Sequence, residues 1–286
     1  MRQRDRRVLE QEPGRVRCII GRVPARMGYA MDVKGLLIDL DGVLYVGDRA
    51  IEGAQETIAS LTESGLSIRF VSNTTRRCRR TIAARLSAMG FEIPENAIFT
   101  PPLAAVAYMK NTGKNRYFLL TTGDVYRDFP SVPVPLPSSG IDYVIIGDAG
   151  ERLTYETLNT AFRHLEAGAE LLALERDRYW MAPDGLSLSA GPFVAALEYA
   201  SGKTATVMGK PAPAFFSLAL QDIHLAPSET IMVGDDIATD IRGAQQVGMQ
   251  GILVRTGKFR EDSVKDSPVM PERIINSIAD LPEVLR

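Results

Sequence analysis

From Lys34 onward the chain alternates short apolar runs with stretches of helical periodicity. Gly35-Leu36-Leu37-Ile38 stops at Asp39, and Ile68-Arg69-Phe70-Val71 stops at Ser72-Asn73. Ala205-Thr206-Val207-Met208 stops at Gly209-Lys210, Ile231-Met232-Val233 stops at Gly234-Asp235-Asp236, and Gly251-Ile252-Leu253-Val254 is a further run of this kind. Short apolar runs, several rich in β-branched residues and bounded by turn residues, predict buried parallel strands. Between them Ile82, Leu86 and Met89 share one helical face, and so do Ile237, Ile241 and Ala244. Strand and helix in alternation predict an α/β fold with right-handed crossovers.

In an open parallel sheet, sites form beyond the carboxyl ends of the strands. Four of the runs end in polar groups, so Asp39, Ser72-Asn73, Lys210 and Asp235-Asp236 are expected to meet at one edge. A single Asp after a strand is a common turn. Four strand ends with complementary chemistry carry much more information.

The stretch from about Leu103 to Lys203 reads as a second unit. It has its own runs, Tyr117-Phe118-Leu119-Leu120, Tyr143-Val144-Ile145-Ile146 and Leu171-Leu172-Ala173-Leu174. Its amphipathic helix carries Leu158, Ala161, Phe162 and Leu165 at helical spacing. The Pro-rich stretch from Phe129 to Ser138 is expected to be an irregular loop. The predicted architecture is therefore a Rossmann-like parallel-sheet core, residues 31–103 and 204–286, with a smaller α/β cap inserted as residues 104–203. The last segment, Pro271 to Arg286, is expected to add a strand or helix to the core.

The strand ends suggest specific chemistry. In Asp39-Leu40-Asp41-Gly42, two carboxylates two residues apart face the same way while the backbone stays extended, and Gly42 permits a sharp turn. One carboxylate can attack phosphorus, and the other can protonate a leaving group and then take a proton from water. An Asp-Gly turn is the plainer reading of this motif. Asp235, with Asp236 and Asp240 close behind, offers hard oxygen ligands of the kind Mg²⁺ accepts. A helix N-cap accounts for one of the three acids but not for all. Lys210 supplies a positive charge for phosphoryl oxygens and for Asp39. Ser72-Asn73-Thr74-Thr75 opens a helix and fits either an N-cap or an anion site. Arg76, Arg77, Arg79 and Arg80 follow, either as a solvated basic face or as groups that attract an anionic substrate.

Composition narrows the field. A chain of 286 residues, 45% hydrophobic and 24% charged, has room for two domains with full cores. A net charge of −2 asks for neither nucleic acid nor an anionic membrane. Residues 1–30 carry eight arginines against three acids, a basic arm expected to be mobile, and Met27 or Met31 would start the chain just before the first strand. No apolar run there is long enough for a signal peptide or a membrane span. Two cysteines, Cys18 and Cys78, make no disulfide framework and fit a reducing cytoplasm. His164 and His224 lack metal-ligand spacing.

Taken together, Asp39-Leu40-Asp41-Gly42-Val43-Leu44-Tyr45, Ser72-Asn73, Gly209-Lys210-Pro211 and Gly234-Asp235-Asp236-Ile237-Ala238-Thr239-Asp240 resemble the four motifs of the haloacid dehalogenase superfamily, in the right order. The long insert resembles the type C2 cap of the NagD-like phosphatases. Arg178-Tyr179-Trp180, Asp184 to Leu188, Gly191-Pro192-Phe193 and Arg255 to Arg260 are similar to the phospholysine phosphohistidine inorganic pyrophosphate phosphatase subgroup. The resemblance implies Asp39 as nucleophile and Mg²⁺ ligand, and Asp41 as acid/base with its carbonyl on the metal. It implies Ser72, Asn73 and Lys210 around the phosphoryl group, Asp235 completing the metal ligands, and Asp236 or Asp240 in support. Some relatives in the subgroup carry Ser at the position of Asp41, so their substrates do not transfer directly. The expected activity is Mg²⁺-dependent hydrolysis of a small phosphomonoester, pyrophosphate or N-phosphorylated amine. Arg176, Asp177 and Arg178 are cap candidates for selecting the leaving group, or else an exposed turn. A phosphotransferase with the same intermediate and an idle scaffold are the rival readings. A cap-mediated homodimer is a further expectation by resemblance, and neither a nucleic acid nor a membrane is expected as a partner.

Overall fold

The first predicted strand, β1 (Gly35–Asp39), is buried along its whole length, and the alternation of its side chains explains why it is apolar throughout. Leu36 and Ile38 enter one hydrophobic cluster and Leu37 enters another, so each face of the strand meets packed side chains. The computed structural model describes residues 33–130, 140–182 and 184–285. The basic arm, Cys18 and most of the Pro-rich stretch lie outside the described residues.

The elements then follow in order. A short hairpin, β2 (Tyr45–Val46) and β3 (Arg49–Ala50), precedes α1 (Ala54–Glu63), β4 (Ser67–Val71), α2 (Arg79–Ala88), β5 (Ile98–Phe99) and α3 (Pro101–Thr112). The middle stretch holds β6 (Tyr117–Leu120), β7 (Tyr143–Ile146), α4 (Tyr155–Glu166), β8 (Glu170–Ala173), β9 (Tyr179–Ala182), β10 (Gly185–Leu188) and α5 (Gly191–Ser201). Next come β11 (Thr206–Val207), α6 (Pro213–Ile223), β12 (Thr230–Gly234), α7 (Arg242–Gln246), β13 (Gln250–Val254), α8 (Glu261–Lys265), β14 (Arg273–Ile275) and α9 (Leu281–Val284).

Among the described residues the larger sheet has the order β14-β13-β12-β1-β4-β5, with every pairing parallel. Ile58 and Leu61 of α1 and Ile82 and Leu86 of α2 cover one face, together with Ile231, Val233, Ile252 and Val254 from the strands. Phe215, Phe216, Ala219, Leu220 and Ile223 of α6 cover the other. The predicted contribution of the C-terminal segment is met by β14 at the sheet edge and by α9, whose Leu281 is fully buried.

The smaller sheet, β11-β8-β7-β6, is also parallel. Ala161, Leu165, Val194 and Leu197 of α4 and α5 pack with Val144, Ile146, Leu171 and Ala173. Tyr117, Tyr143, Ile145 and Leu172 belong instead to the cluster that contains α3 and α6, so one continuous apolar interior joins the two sheets. The hairpin β9–β10 is antiparallel and stands apart from both.

One strand differs from the sequence reading. Thr206–Val207 was expected to belong with the strands of the core, but β11 pairs with Leu172 and Ala173 at the edge of the smaller sheet. The Met208 N–H still donates to Ala173 O at 2.7 Å, so pairing with the smaller sheet runs past the boundary expected at residue 204. Apolar patterning marks a strand but does not say which of two sheets it joins. The predicted helix after Asp235 likewise begins with a π-type turn over Ile237–Ile241 before α7. No helix among the described residues is long and apolar enough to cross a membrane.

Candidate active site

β1 delivers Asp39 to the sheet edge, and the chain then turns back on itself. The Gly42 N–H donates to Tyr45 O at 2.7 Å and the Leu44 N–H to Leu40 O at 2.9 Å. Gly42 has φ +88, and a Cβ there would overlap the Asp235 carboxylate. The tight turn of the first motif and the closeness of the fourth therefore both require glycine.

Lys210 is the hub of the charged cluster. Its Nζ stands 2.7 Å from Asp39 Oδ1 and 2.7 Å from Asp240 Oδ1, and all three side chains are nearly or fully buried. Burial works against the ammonium, but Asp240 and Asp39 outweigh it and hold Lys210 above its ordinary value. Asp240 has its other oxygen engaged as well, because Oδ2 accepts the Asp236 N–H at 3.2 Å. Asp236 turns away to cap the π-type turn, accepting the Ala238 and Thr239 N–H groups at 2.8 and 3.2 Å. Asn73 reaches Lys210 through the backbone: its Nδ2 donates to Lys210 O at 2.9 Å and its Oδ1 accepts the Lys210 N–H at 2.8 Å. Ser72 lies beside it and accepts the Thr74 N–H at 3.3 Å.

Asp235 differs from its neighbours. Its Oδ2 accepts the Lys258 N–H at 2.7 Å, whereas its buried Oδ1 has no partner among the described residues. Ligand atoms of Asp39, Asp235 and Asp240 lie within 4.8 Å of one another. Three buried carboxylates share one ammonium, and that excess of negative charge is expensive. Burial pushes Asp39 above the usual carboxylate range. It pushes Asp235 and Asp240 up to about 6, with Asp240 adding to the first and Asp39 to the second. A divalent cation would supply the missing positive charge, and the unpartnered Asp235 oxygen is the kind of donor it takes. The residues thus fit a metal held by Asp39 and Asp235, with Asp240 engaged by Lys210 and the Asp236 N–H.

A pocket of about 440 Å³ opens over this cluster and is lined by Asp39, Asp41, Ser72, Asn73, Lys210 and Asp236 among others. All the residues singled out from the strand ends therefore gather at one edge, Lys210 arriving through the segment that leaves β11.

Two family models match the chain. The model described as haloacid dehalogenase-like hydrolase covers residues 36–130, and a second model of the same family covers residues 207–281. The chain is 42% identical over 241 residues to haloacid dehalogenase-like hydrolase domain-containing protein 2 of Bos taurus, covering 83% of this chain and 91% of that one. The chain belongs to the haloacid dehalogenase-like hydrolases. It is also 39% identical over 258 residues to the phospholysine phosphohistidine inorganic pyrophosphate phosphatase of Danio rerio, covering 88% and 93% of the two chains. The p-nitrophenyl phosphatase from Archaeoglobus fulgidus superposes with a TM-score of 0.77 at 27% identity, over 88% of this chain and 99% of that one. NagD from E. coli shares the fold, with a TM-score of 0.77 at 24% identity over 87% and 98% of the two chains. Within the family the chain lies near the phospholysine phosphohistidine inorganic pyrophosphate phosphatase subgroup, as its motifs suggested.

Against that family frame the remaining candidates separate. Of the four arginines after Ser72-Asn73, Arg77 lines the pocket. Arg76 approaches Asp148 at 3.6 Å and lies over the Trp180 ring, and Arg79 pairs with Asp128 at 3.4 Å. Of the three cap candidates, Asp177 lines the pocket, while Arg176 bonds Glu198 at 2.6 Å and Arg178 lies over Tyr179. His164 packs on Phe118, and His224 ends α6 with φ +56.

The sequence reading assigned no role to Thr256 and Lys258. The Thr256 hydroxyl donates to Gly42 O, and the Lys258 backbone holds Asp235. The signal was present: β13 ends on the same edge, and Arg255-Thr256-Gly257-Lys258 is its polar end.

Proposed function

We propose that this protein is a Mg²⁺-dependent phosphatase that hydrolyses a small phosphorylated substrate through an aspartyl-phosphate on Asp39. The observation that carries the reading is the pairing of Asp39 with Lys210 at 2.7 Å, in a cluster with Asp235, one oxygen of which has no partner among the described residues. A nucleophilic carboxylate, a fixed cation and a half-open metal site are what phosphoryl transfer needs from a protein.

Asp39, the Asp41 backbone carbonyl and Asp235 would hold the metal. When bound, Mg²⁺ offsets charge on the phosphoryl oxygens. Lys210 also offsets that charge, orients Asp39 and opposes the effect of burial on its carboxyl. Ser72 and the second N–H of the Asn73 amide bind the phosphoryl oxygens, while the rest of the Asn73 amide fixes Lys210. Asp39 then attacks phosphorus in line. The bond from phosphorus to the leaving oxygen or nitrogen breaks, its electron pair stays with the leaving group, and Asp41 gives that atom a proton. In the second step water attacks phosphorus and passes a proton to Asp41. The acyl-phosphate P–O bond breaks, inorganic phosphate leaves, and the Asp39 carboxylate is restored. The smaller sheet with its helices and the β9–β10 hairpin form a cap, inserted between the second and third motifs, that closes the pocket to bulk water. The substrate class includes phosphomonoesters, pyrophosphate and N-phosphorylated amines.

The test is phosphate release from a panel of such compounds, p-nitrophenyl phosphate included, with Mg²⁺ and with EDTA, for the wild type and Asp39→Asn. Release that requires Mg²⁺ and disappears in the variant supports the reading. No release by folded wild-type protein, or full release by Asp39→Asn, removes it.

A further inference from the structure

We infer that Asp177 sets the charge preference of the pocket, selecting leaving groups that carry a protonated amine over those that carry a second anion. The inference rests on the phosphatase reading and goes beyond it to the far side of the scissile bond.

A pocket that receives a phosphoryl dianion should expose no spare negative charge. Most of its carboxylates have a use: Asp39 pairs with Lys210, and Asp236 caps the π-type turn. Asp41 is the proposed acid/base. Asp177 remains, the one pocket-lining residue contributed by the middle stretch, and no hydrogen bond or ion pair engages its carboxylate among the described residues. Its partner is therefore expected to come with the substrate. The pocket's cations are differently disposed. Lys210 is neutralised by Asp39 and Asp240, and Arg85 bonds Asp48 at 3.0 Å and lies over the Tyr45 ring. Among the described residues Arg77 and Lys258 have no carboxylate pair, and they stand on core segments, Arg77 just after the proposed phosphate-binding loop, where they would serve the phosphoryl group.

The loop that carries Asp177 is built to hold it still. The buried Glu175 carboxylate accepts the Ser189 hydroxyl at 2.7 Å and the Ala190 N–H at 3.4 Å, and the Asp177 N–H turns to it as well. The Gly191 N–H donates to Asp177 O at 3.0 Å, and the Ser189 N–H donates to Arg178 O at 3.3 Å. A Cβ at Gly191 would strike the Arg176 and Asp177 carbonyls, so the start of α5 lies close against this loop. Arg176, tied to Glu198, points its charge elsewhere. An exposed, unpaired carboxylate on a loop held in this way, at the rim of a catalytic pocket, discriminates by charge: it attracts an ammonium and repels an anion of the same size.

The experiment measures kcat/KM for aminoethyl phosphate, ethyl phosphate and carboxymethyl phosphate with Mg²⁺, in the wild type, Asp177→Asn, Asp177→Glu and Asp177→Lys, with p-nitrophenyl phosphate as the reference substrate. The expected result is an aminoethyl-to-carboxymethyl ratio that falls about tenfold in Asp177→Asn, falls further in Asp177→Lys and is largely kept in Asp177→Glu. A ratio unmoved by all three substitutions, or an equal loss on every substrate, overturns the inference and leaves the phosphatase reading standing. Absence of release from every compound by the wild type overturns both.

Discussion

Asn73 and Lys210, 137 residues apart, exchange two hydrogen bonds: the Asn73 amide donates to the Lys210 carbonyl at 2.9 Å and accepts its N–H at 2.8 Å. A side-chain amide thus pairs with a backbone as one strand pairs with another. It ties the loop after β4 to the segment that carries Lys210. Asp at position 73 keeps the acceptor but sets a carboxylate oxygen against the Lys210 carbonyl. Asn73→Asp is expected to cost about 1–3 kcal/mol of stability and to lower kcat at least about tenfold by shifting Lys210. Thermal unfolding and Mg²⁺-dependent phosphate release check both effects, and normal turnover in the variant contradicts this role.

Asp235→Asn should act with opposite signs under two conditions. Without a cation, the substitution removes one of three crowded carboxylates and its unpartnered oxygen. The melting temperature in EDTA should rise. With Mg²⁺, the wild type gains stability from binding and the variant does not. Parallel thermal melts decide it, and a variant still stabilised by Mg²⁺ as strongly as the wild type places the metal elsewhere.

How much of this was legible before the fold follows from particular residues. Asp39, Ser72-Asn73 and Asp235 were legible because each closes an apolar run, and runs in a parallel sheet end on one edge. The helix over Tyr155–Glu166 and the strands at Tyr117, Tyr143 and Leu171 were legible for the same periodic reasons. The membership of Thr206–Val207 was not, because pairing with Leu172 and Ala173 is a tertiary choice made at a sheet edge. The division of labour between Asp236 and Asp240 was also hidden. Both are acids in one turn, and only the π-type backbone sends Asp240 to Lys210 and leaves Asp236 as a cap. Nor could spacing separate Asp177 from Arg176, whose partner Glu198 comes from α5.

The acidic cluster predicts an unusual dependence of stability on pH. Burial raises Asp235 and Asp240 from 3.8 to about 6. Between those values the folded chain keeps protons that the unfolded chain releases, so stability in EDTA is highest on the acid side and falls as pH rises through the window. A cation must displace the same protons, so its stabilisation fades as pH drops below about 6. The gap between melting temperatures with Mg²⁺ and with EDTA should widen from about pH 5 to about pH 7.5. A gap that does not change with pH counts against protonation of the empty cluster.

The contact between the loop after β6 and helix α2 yields the last prediction. Cys78 stands at the N-cap of α2 without a capping side chain of its own, and the missing acceptor comes from Asp124. Asp124 Oδ1 accepts the Cys78 N–H at 2.8 Å, Oδ2 receives the Cys78 thiol at 3.2 Å, and the Thr81 hydroxyl donates to the same oxygen. Asp128 extends the arrangement by accepting the Arg79 N–H at 3.0 Å. A carboxylate from the stretch that forms the smaller sheet therefore caps a helix of the larger one, and that helix supplies Ile82, Arg85 and Leu86 to the pocket wall. Removing the cap in Asp124→Ala is expected to cost about 0.5–2 kcal/mol and to free the first turn of α2. Two readouts follow. KM should rise more than kcat falls, because the pocket wall loosens while Asp39 and Lys210 keep their places. Cys78, which is 1% exposed, should also react faster with a thiol reagent, measured in a Cys18→Ser background so that one thiol is counted. Labelling as slow as in the parent, with KM unchanged, would mean that α2 is held by its apolar face and that the carboxylate contributes nothing measurable to it.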